Sequence, residues 1–239
     1  QPKDTIDVAF LGSSHVHCDI NTALLWEDYG IAAYDYSAAE QPLWGTYHYL
    51  KEICKYQSPS VVVLDLYSPA CFKDDYQYYF LTDNLNGMRF SLNKLEMLRA
   101  SCEPDRWKDF FPSIVTWHYR YSRLKERDWK YLLMTKRERA AFKGYTPYFD
   151  VYTMNRPILD VTDEGGLSAK SESYLRRIIE ETKRRGIELF LIVTPYNILY
   201  DEKLVYNRIE TIAEEYGVGF HDYNESYDEL EVNFEQDFN

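Results

Sequence analysis

Residues 6–15 read Ile6-Asp7-Val8-Ala9-Phe10-Leu11-Gly12-Ser13-Ser14-His15. The first six are mostly apolar and short enough for a strand. Gly12 supplies a tight turn, and Ser13-Ser14 can open a helix, because serine hydroxyls accept from free helical N–H groups. A helix is expected from there to about Tyr29, with Gly30 as its stop. Strand, glycine turn and helix together form the opening of a β-α unit.

The same alternation continues outward. Residues 31–36 read as a second strand and residues 46–56 as a helix, with Tyr49, Leu50, Ile53 and Cys54 on one face. Pro59 ends that segment. Residues 61–66 form an almost continuous apolar run, as expected of a central parallel strand. Residues 168–185 read as an amphipathic helix with Tyr174, Leu175, Ile178 and Ile179 inward and Gly186 beyond its end. A strand at 187–193, a helix at 202–216 closed by Gly217, and a short strand at 218–221 complete the pattern. The expected fold class is α/β: a flavodoxin-like three-layer α/β/α domain around a central parallel sheet. Residues 68–150 interrupt it. They are rich in Tyr, Trp, Lys and Arg, with helical patterns near 92–101 and 120–142, and read as a mostly helical insertion or lid.

At 239 residues the chain supports one sizeable core. Its net charge of -12 argues against a nucleic-acid partner, whose phosphates it would repel. Aromatic residues make up 17%, with 23 Tyr, a side chain that pairs an apolar ring with a polar tip and suits a half-wet cleft or a carbohydrate-facing surface. The plainer alternative is a compositional habit of the source genome. Cys18, Cys54, Cys71 and Cys102 show no Cys-x-x-Cys spacing, so zinc-ribbon and thioredoxin-like sites have no support. Cys54 reads as a small buried hydrophobe, and a Cys71–Cys102 disulfide is left open. No apolar run reaches membrane-spanning length. The sequence opens on Gln1 rather than Met, which reads as loss of an upstream signal or anchor segment, or as a trimmed cytosolic chain.

In an open parallel sheet, ligands gather beyond the carboxyl ends of the strands. Gly12-Ser13-Ser14-His15, Asp35-Tyr36-Ser37, Asp65-Leu66-Tyr67-Ser68, Thr194-Pro195-Tyr196 and His221-Asp222 fall there. A serine after the first strand could act as a nucleophile whose oxyanion is held by backbone N–H groups; the alternative is that Ser13 or Ser14 only caps a helix. Gly12-Ser13-Ser14 is neither a Walker A loop nor a dinucleotide fingerprint. Among the five histidines, His17 could line the cleft and His118 is the in-chain candidate for an active-site role, with a structural histidine as its alternative. His48 and His221 read as structural. Arg120 and Arg123 could bind an anion, and Lys136-Arg137-Glu138-Arg139 reads as a solvated helix face. No three histidines share a metal-ligand spacing, so neither a metal nor a cofactor is expected.

The opening block resembles the first block of SGNH (GDSL-type) hydrolases. It is most similar to bacterial cell-envelope members that carry Gly-Ser-Ser, relatives of the lipoteichoic acid D-alanylation protein and of alginate O-acetyltransferases. The resemblance implies Ser14 as nucleophile, with Ser13 at the neighbouring Asp position. It places an oxyanion-hole N–H near Ser37 or Ala39, where the family usually has Gly and this chain has none. The third block, which usually brings Asn, here reads Asp65-Leu66-Tyr67-Ser68, and Tyr67 joins the expected pocket. The closing stretch through Asp237-Phe238-Asn239 looks like the lead-in to the family's Asp-x-x-His, which would then lie beyond Asn239. The implied activity is a serine-dependent esterase or O-acyltransferase on acyl groups of a small-molecule or glycan substrate, in the cell envelope, with a membrane anchor upstream of Gln1. Two other readings remain open: a non-catalytic glycan- or partner-binding module on the same fold, and a phosphate site at the Ser13-Ser14 helix start.

Overall fold

The structure, a computed structural model, describes residues 2–72, 78–86, 88–110, 125, 126, 129, 133, 143–146 and 153–234. Five strands form one sheet: β1 (Val8–Leu11), β2 (Ala33–Asp35), β3 (Val61–Asp65), β4 (Glu188–Val193) and β5 (Gly219–Asp222). Their order is β2-β1-β3-β4-β5 and every neighbouring pair is parallel. This is the order of a flavodoxin-like sheet, with its switch point between β1 and β3.

Alternation along the strands decides what each face packs against. Ala9, Leu11, Val62, Leu64, Leu191 and Val193 point to one face. There they meet α3 (Leu43–Ile53), α8 (Ala169–Arg185) and α9 (Tyr200–Tyr216) in one continuous core. Phe10 and Ala33 point to the other face and pack with Val16, Ile20 and Leu25 of the α1–α2 segment. The chain steps from β1 to β2 with its helices on one face. It then moves the opposite way across the sheet with its helices on the other face, as crossovers of a single hand require. The second layer is narrower: Phe190 on β4 remains 44% exposed, beside an apolar groove of about 530 Å3 that also takes in Val63, Ile192 and Phe220.

The helix expected from Ser14 to Tyr29 is two helices, α1 (Ser14–Asp19) and α2 (Thr22–Tyr29). Ile20 is extended, and the Asn21 side chain accepts from the N–H groups of Ala23 and Leu24 at 3.1 and 3.3 Å. Asparagine competes for backbone donors and so starts a new helix. Helix α3 begins three residues before the expected start, directly after Pro42, and ends at Ile53. Ser168 caps α8 through Ser171 N–H, and Gly30, Gly186 and Gly217 close α2, α8 and α9 in the left-handed region.

The described residues of this stretch are mostly helical, in α4 (Tyr67–Cys71), α5 (Tyr78–Asn86), α6 (Leu92–Ser101), a 3-10 turn (Pro104–Arg106) and α7 (Trp107–Phe110), while residues 143–146 hold a turn. Leu81, Leu85, Met97, Leu98 and Phe110 form a second, smaller core. Helix α6 packs on α3, where the buried His48 Nδ1 lies 2.8 Å from Asn93 Oδ1. The helical pattern near 120–142, and any lid it forms, lies outside the described residues apart from Lys125, Glu126, Trp129 and Leu133. All four cysteines are free, so Cys71 and Cys102 are not joined; Cys71 Sγ lies 3.3 Å from Glu202 Oε1 instead. Among the described residues, no helix is long and apolar enough to cross a membrane.

A buried charge cluster fixes the far edge of the sheet. Lys203 Nζ on α9 lies 3.1 Å from Asp222 Oδ2 and 2.9 Å from Glu225 Oε1, and both Lys203 and Asp222 are almost fully buried. Removing one member strands the other charge away from water. Lys203→Ala is expected to lower the unfolding free energy by about 3 kcal/mol, measured by urea denaturation.

Candidate functional site

The site is built on the switch point, between the neighbouring carboxyl ends of β1 and β3. Gly12 has φ 145°, and a Cβ there would come 2.8 Å from Asp65 Cβ and 2.9 Å from Val16 Cγ2. Only glycine allows this approach. It presses the turn onto the end of β3, so Ser13 is fully buried and its hydroxyl donates to Asp65 Oδ2 at 3.3 Å. Ser13 occupies the N-cap position of α1, yet its side chain accepts no helical N–H. The capping alternative therefore does not describe Ser13, and Ser14 is already the first helical residue.

Asp65 is buried beneath this turn. Its Oδ2 also accepts from Tyr67 N–H at 3.3 Å, while its Oδ1 has no hydrogen-bond partner among the described residues. Burial pushes the carboxyl up to about 6, although the His15 charge and the bonds from Tyr67 and Ser13 favour its ionised form. Asp35, at the end of β2, is likewise pushed to about 6 by burial. Its Oδ1 accepts from Ser37 N–H at 2.6 Å.

Ser14 is partly exposed, and its hydroxyl makes no hydrogen bond among the described residues. The neighbouring histidines turn away from it. His15 Nδ1 lies 2.9 Å from Thr194 Oγ1 and 3.4 Å from Asp19 Oδ2, and its ring stacks on Tyr67 with centroids 3.7 Å apart. Burial works to lower its pKa, but the bond to Asp19 and the charges of Asp65 and Glu202 outweigh it, so the imidazolium is favoured. His17 Nδ1 lies 2.9 Å from Ser37 Oγ. Burial lowers its pKa, Asp19 offsets part of that, and the His15 charge adds to the lowering, so the neutral ring is favoured.

The two residues expected to offer an oxyanion N–H differ. Ser37 N–H is held by Asp35, and Ala38 N–H points to Gly12 O at 3.4 Å. Ala39 N–H has no partner among the described residues, while its carbonyl accepts from Asn84 Nδ2 of α5 at 3.1 Å. Tyr67 stands at the β3 end as expected, packed against His15 and Tyr196. His118, Arg120, Arg123 and the 136–139 basic run lie outside the described residues. His221 is exposed on β5 beside Tyr223, while Asp222 is buried against Lys203.

Thr194, which holds His15, is itself fixed from the far edge. Asn224 takes a hydrogen from Tyr196 N–H at 2.7 Å and donates to Thr194 O at 3.2 Å and to Asp222 Oδ1 at 2.8 Å. A chain of contacts thus runs from Lys203 through Asp222 and Asn224 to Thr194 and His15. The sequence places His15, Asp65 and Thr194 at strand ends without giving any of them a role, and the strand-end position is the signal that marks them.

A carboxyl whose folded pKa is raised stabilises the fold fully below its unfolded pKa, and that stabilisation is lost as pH rises through the folded value. For Asp65 the window runs from the model-compound range near 3.8 to about 6. Asp65→Asn is expected to remove roughly 2–3 kcal/mol of stability loss between about pH 4.5 and about pH 7.5. Urea denaturation of both proteins at those two pH values measures the difference.

Comparison of the chain with protein-family models finds no match, and comparison with curated proteins finds none either, so the site is read from its own chemistry.

Proposed function

We propose that this chain belongs to a serine-dependent esterase or O-acyltransferase of SGNH type, acting on acyl groups of a cell-envelope glycan with Ser14 as nucleophile. The observation that carries this reading is the placement of Ser14. It follows β1 at the switch point, on a turn that needs glycine, with a partly exposed hydroxyl that no described neighbour engages. The resemblance of the first block supports the same residue.

In this reading, Ser14 Oγ bonds to the acyl carbon while a base takes its proton. The N–H groups of Ser14 and Ala39 hold the resulting oxyanion. Expulsion of the sugar oxygen, with return of that proton, leaves an acyl-serine that water or a second hydroxyl resolves. No described histidine hydrogen-bonds Ser14, and the reading takes its base from the Asp-x-x-His block that the family resemblance implies. It also places the protein outside the cytoplasm, as the family resemblance implies.

A second reading, a non-catalytic binding module on the same fold, draws on a specific observation: Asp35 already engages Ser37 N–H, one of the two expected oxyanion donors. Fluorophosphonate labelling of a chain extended past Asn239, with peptide mapping, separates the two. Labelling at Ser14 that is lost in Ser14→Ala is the outcome expected of the enzyme. A folded, extended protein that takes no label anywhere supports the binding module. Label on Ser37, which has His17 at hydrogen-bond distance, would sink the Ser14 assignment.

A further inference from the structure

A second cavity, of about 420 Å3, lies along the outer flank of the sheet between β2 and α3. Its position separates it from Ser14. Tyr34 and Tyr36 come from the β2 edge and Tyr49 from α3, but Tyr56 follows the end of α3 and Lys3 precedes β1. The cavity therefore extends toward the amino ends of the strands, whereas Ser14 stands at their carboxyl ends. Its volume is in the range of small-ligand sites.

The lining has two parts. Four tyrosine rings and Met88 make the walls, with Tyr34 and Tyr36 meeting at 47° and 4.7 Å between centroids. Tilted rings make a corner rather than a parallel slot. Each tyrosine face can take the C–H face of a puckered ring, and the phenol tips can meet its polar edges. The second part is charge. Lys3 and Arg89 are exposed at the cavity, and neither pairs with a carboxylate among the described residues; the Arg89 guanidinium lies 5.6 Å from the Tyr56 ring centroid. The acidic member of the lining, Glu52, is already engaged by Lys55 and by Asn93 Nδ2. On a chain of net charge -12, two unpaired cations beside an aromatic corner are a local reversal of sign.

We propose that this cavity is a second, non-catalytic binding site for a sugar ring that carries an acidic group, with tyrosine faces against the ring and Lys3 and Arg89 on the anion. It is independent of the Ser14 reading. The test is titration of the protein with glucuronate and with glucose, followed by heteronuclear NMR of the backbone amides. Glucuronate is expected to bind saturably and glucose about fivefold or more weakly, since glucose lacks the anion that Lys3 and Arg89 engage. Arg89→Ala and Tyr56→Ala, both at exposed positions, are each expected to weaken glucuronate about fivefold, and Ser14→Ala to leave it unchanged. Methyl glucuronide identifies the source: retained binding supports a residue within a glycan chain, and lost binding supports the free acidic sugar. Equal binding of glucose and glucuronate, or glucuronate binding left unchanged by Arg89→Ala and Tyr56→Ala, overturns the proposal. Absence of saturable binding by all three sugars overturns it as well.

Discussion

The contact between Gly12 and Asp65 organises the rest of the site. Two parallel strands cannot bring their ends this close if the turning residue carries a Cβ, because that atom would fall 2.8 Å from the Asp65 side chain. With glycine there, the turn closes over a buried carboxylate and Ser13 is drawn inward to bond it, while Ser14 stays partly exposed. The consequence is electrostatic as well as steric. A carboxyl in this position is poorly solvated and incompletely paired, so it holds its proton far above the ordinary aspartate range.

Around that contact the crevice is assembled from strand ends held by separate devices. The β2 end is set by Asp35, whose side chain takes Ser37 N–H and whose own N–H donates to Lys143 O at 2.9 Å. There a Cβ on Gly144 would come 2.5 Å from Asp35 O, so the 143–146 segment also depends on a glycine. The β4 end is set by Asn224 and, behind it, by the Lys203–Asp222 pair. His15 spans the crevice to Thr194 and so links the first helix to the fourth strand. A change at Lys203 would therefore reach the site through packing and hydrogen bonds rather than through any ligand contact.

The two histidines of α1 show how position divides one residue type. His15 and His17 are separated by one residue and therefore leave α1 in different directions. His15 meets Asp19 and the field of Asp65 and Glu202 and favours its charged form. Burial lowers the His17 pKa and the charge of His15 adds to this, while its Nδ1 lies beside the Ser37 hydroxyl. One helix turn thus holds a histidine whose pKa is raised, beside Thr194, and one whose pKa is lowered, beside Ser37.

The layered fold was legible because it rests on short-range regularities. Continuous apolar runs such as Val61–Leu64 fit a central parallel strand, and Ser168 and Gly186 bracket α8 with caps that act within one turn. The position of Ser14 after the first strand was legible for the same reason. The break at Ile20-Asn21 was missed because an apolar periodicity runs through it, while the asparagine cap that interrupts it is a local competition for two N–H groups. What the sequence could not decide were contacts between residues far apart in the chain: Ser13 with Asp65, His15 with Thr194, Lys203 with Asp222. Periodicity determines which face of an element is apolar. Only the assembled sheet determines which polar strand ends meet, because that depends on strand order, and strand order brings Asp65 and Thr194 beside a turn dozens of residues earlier.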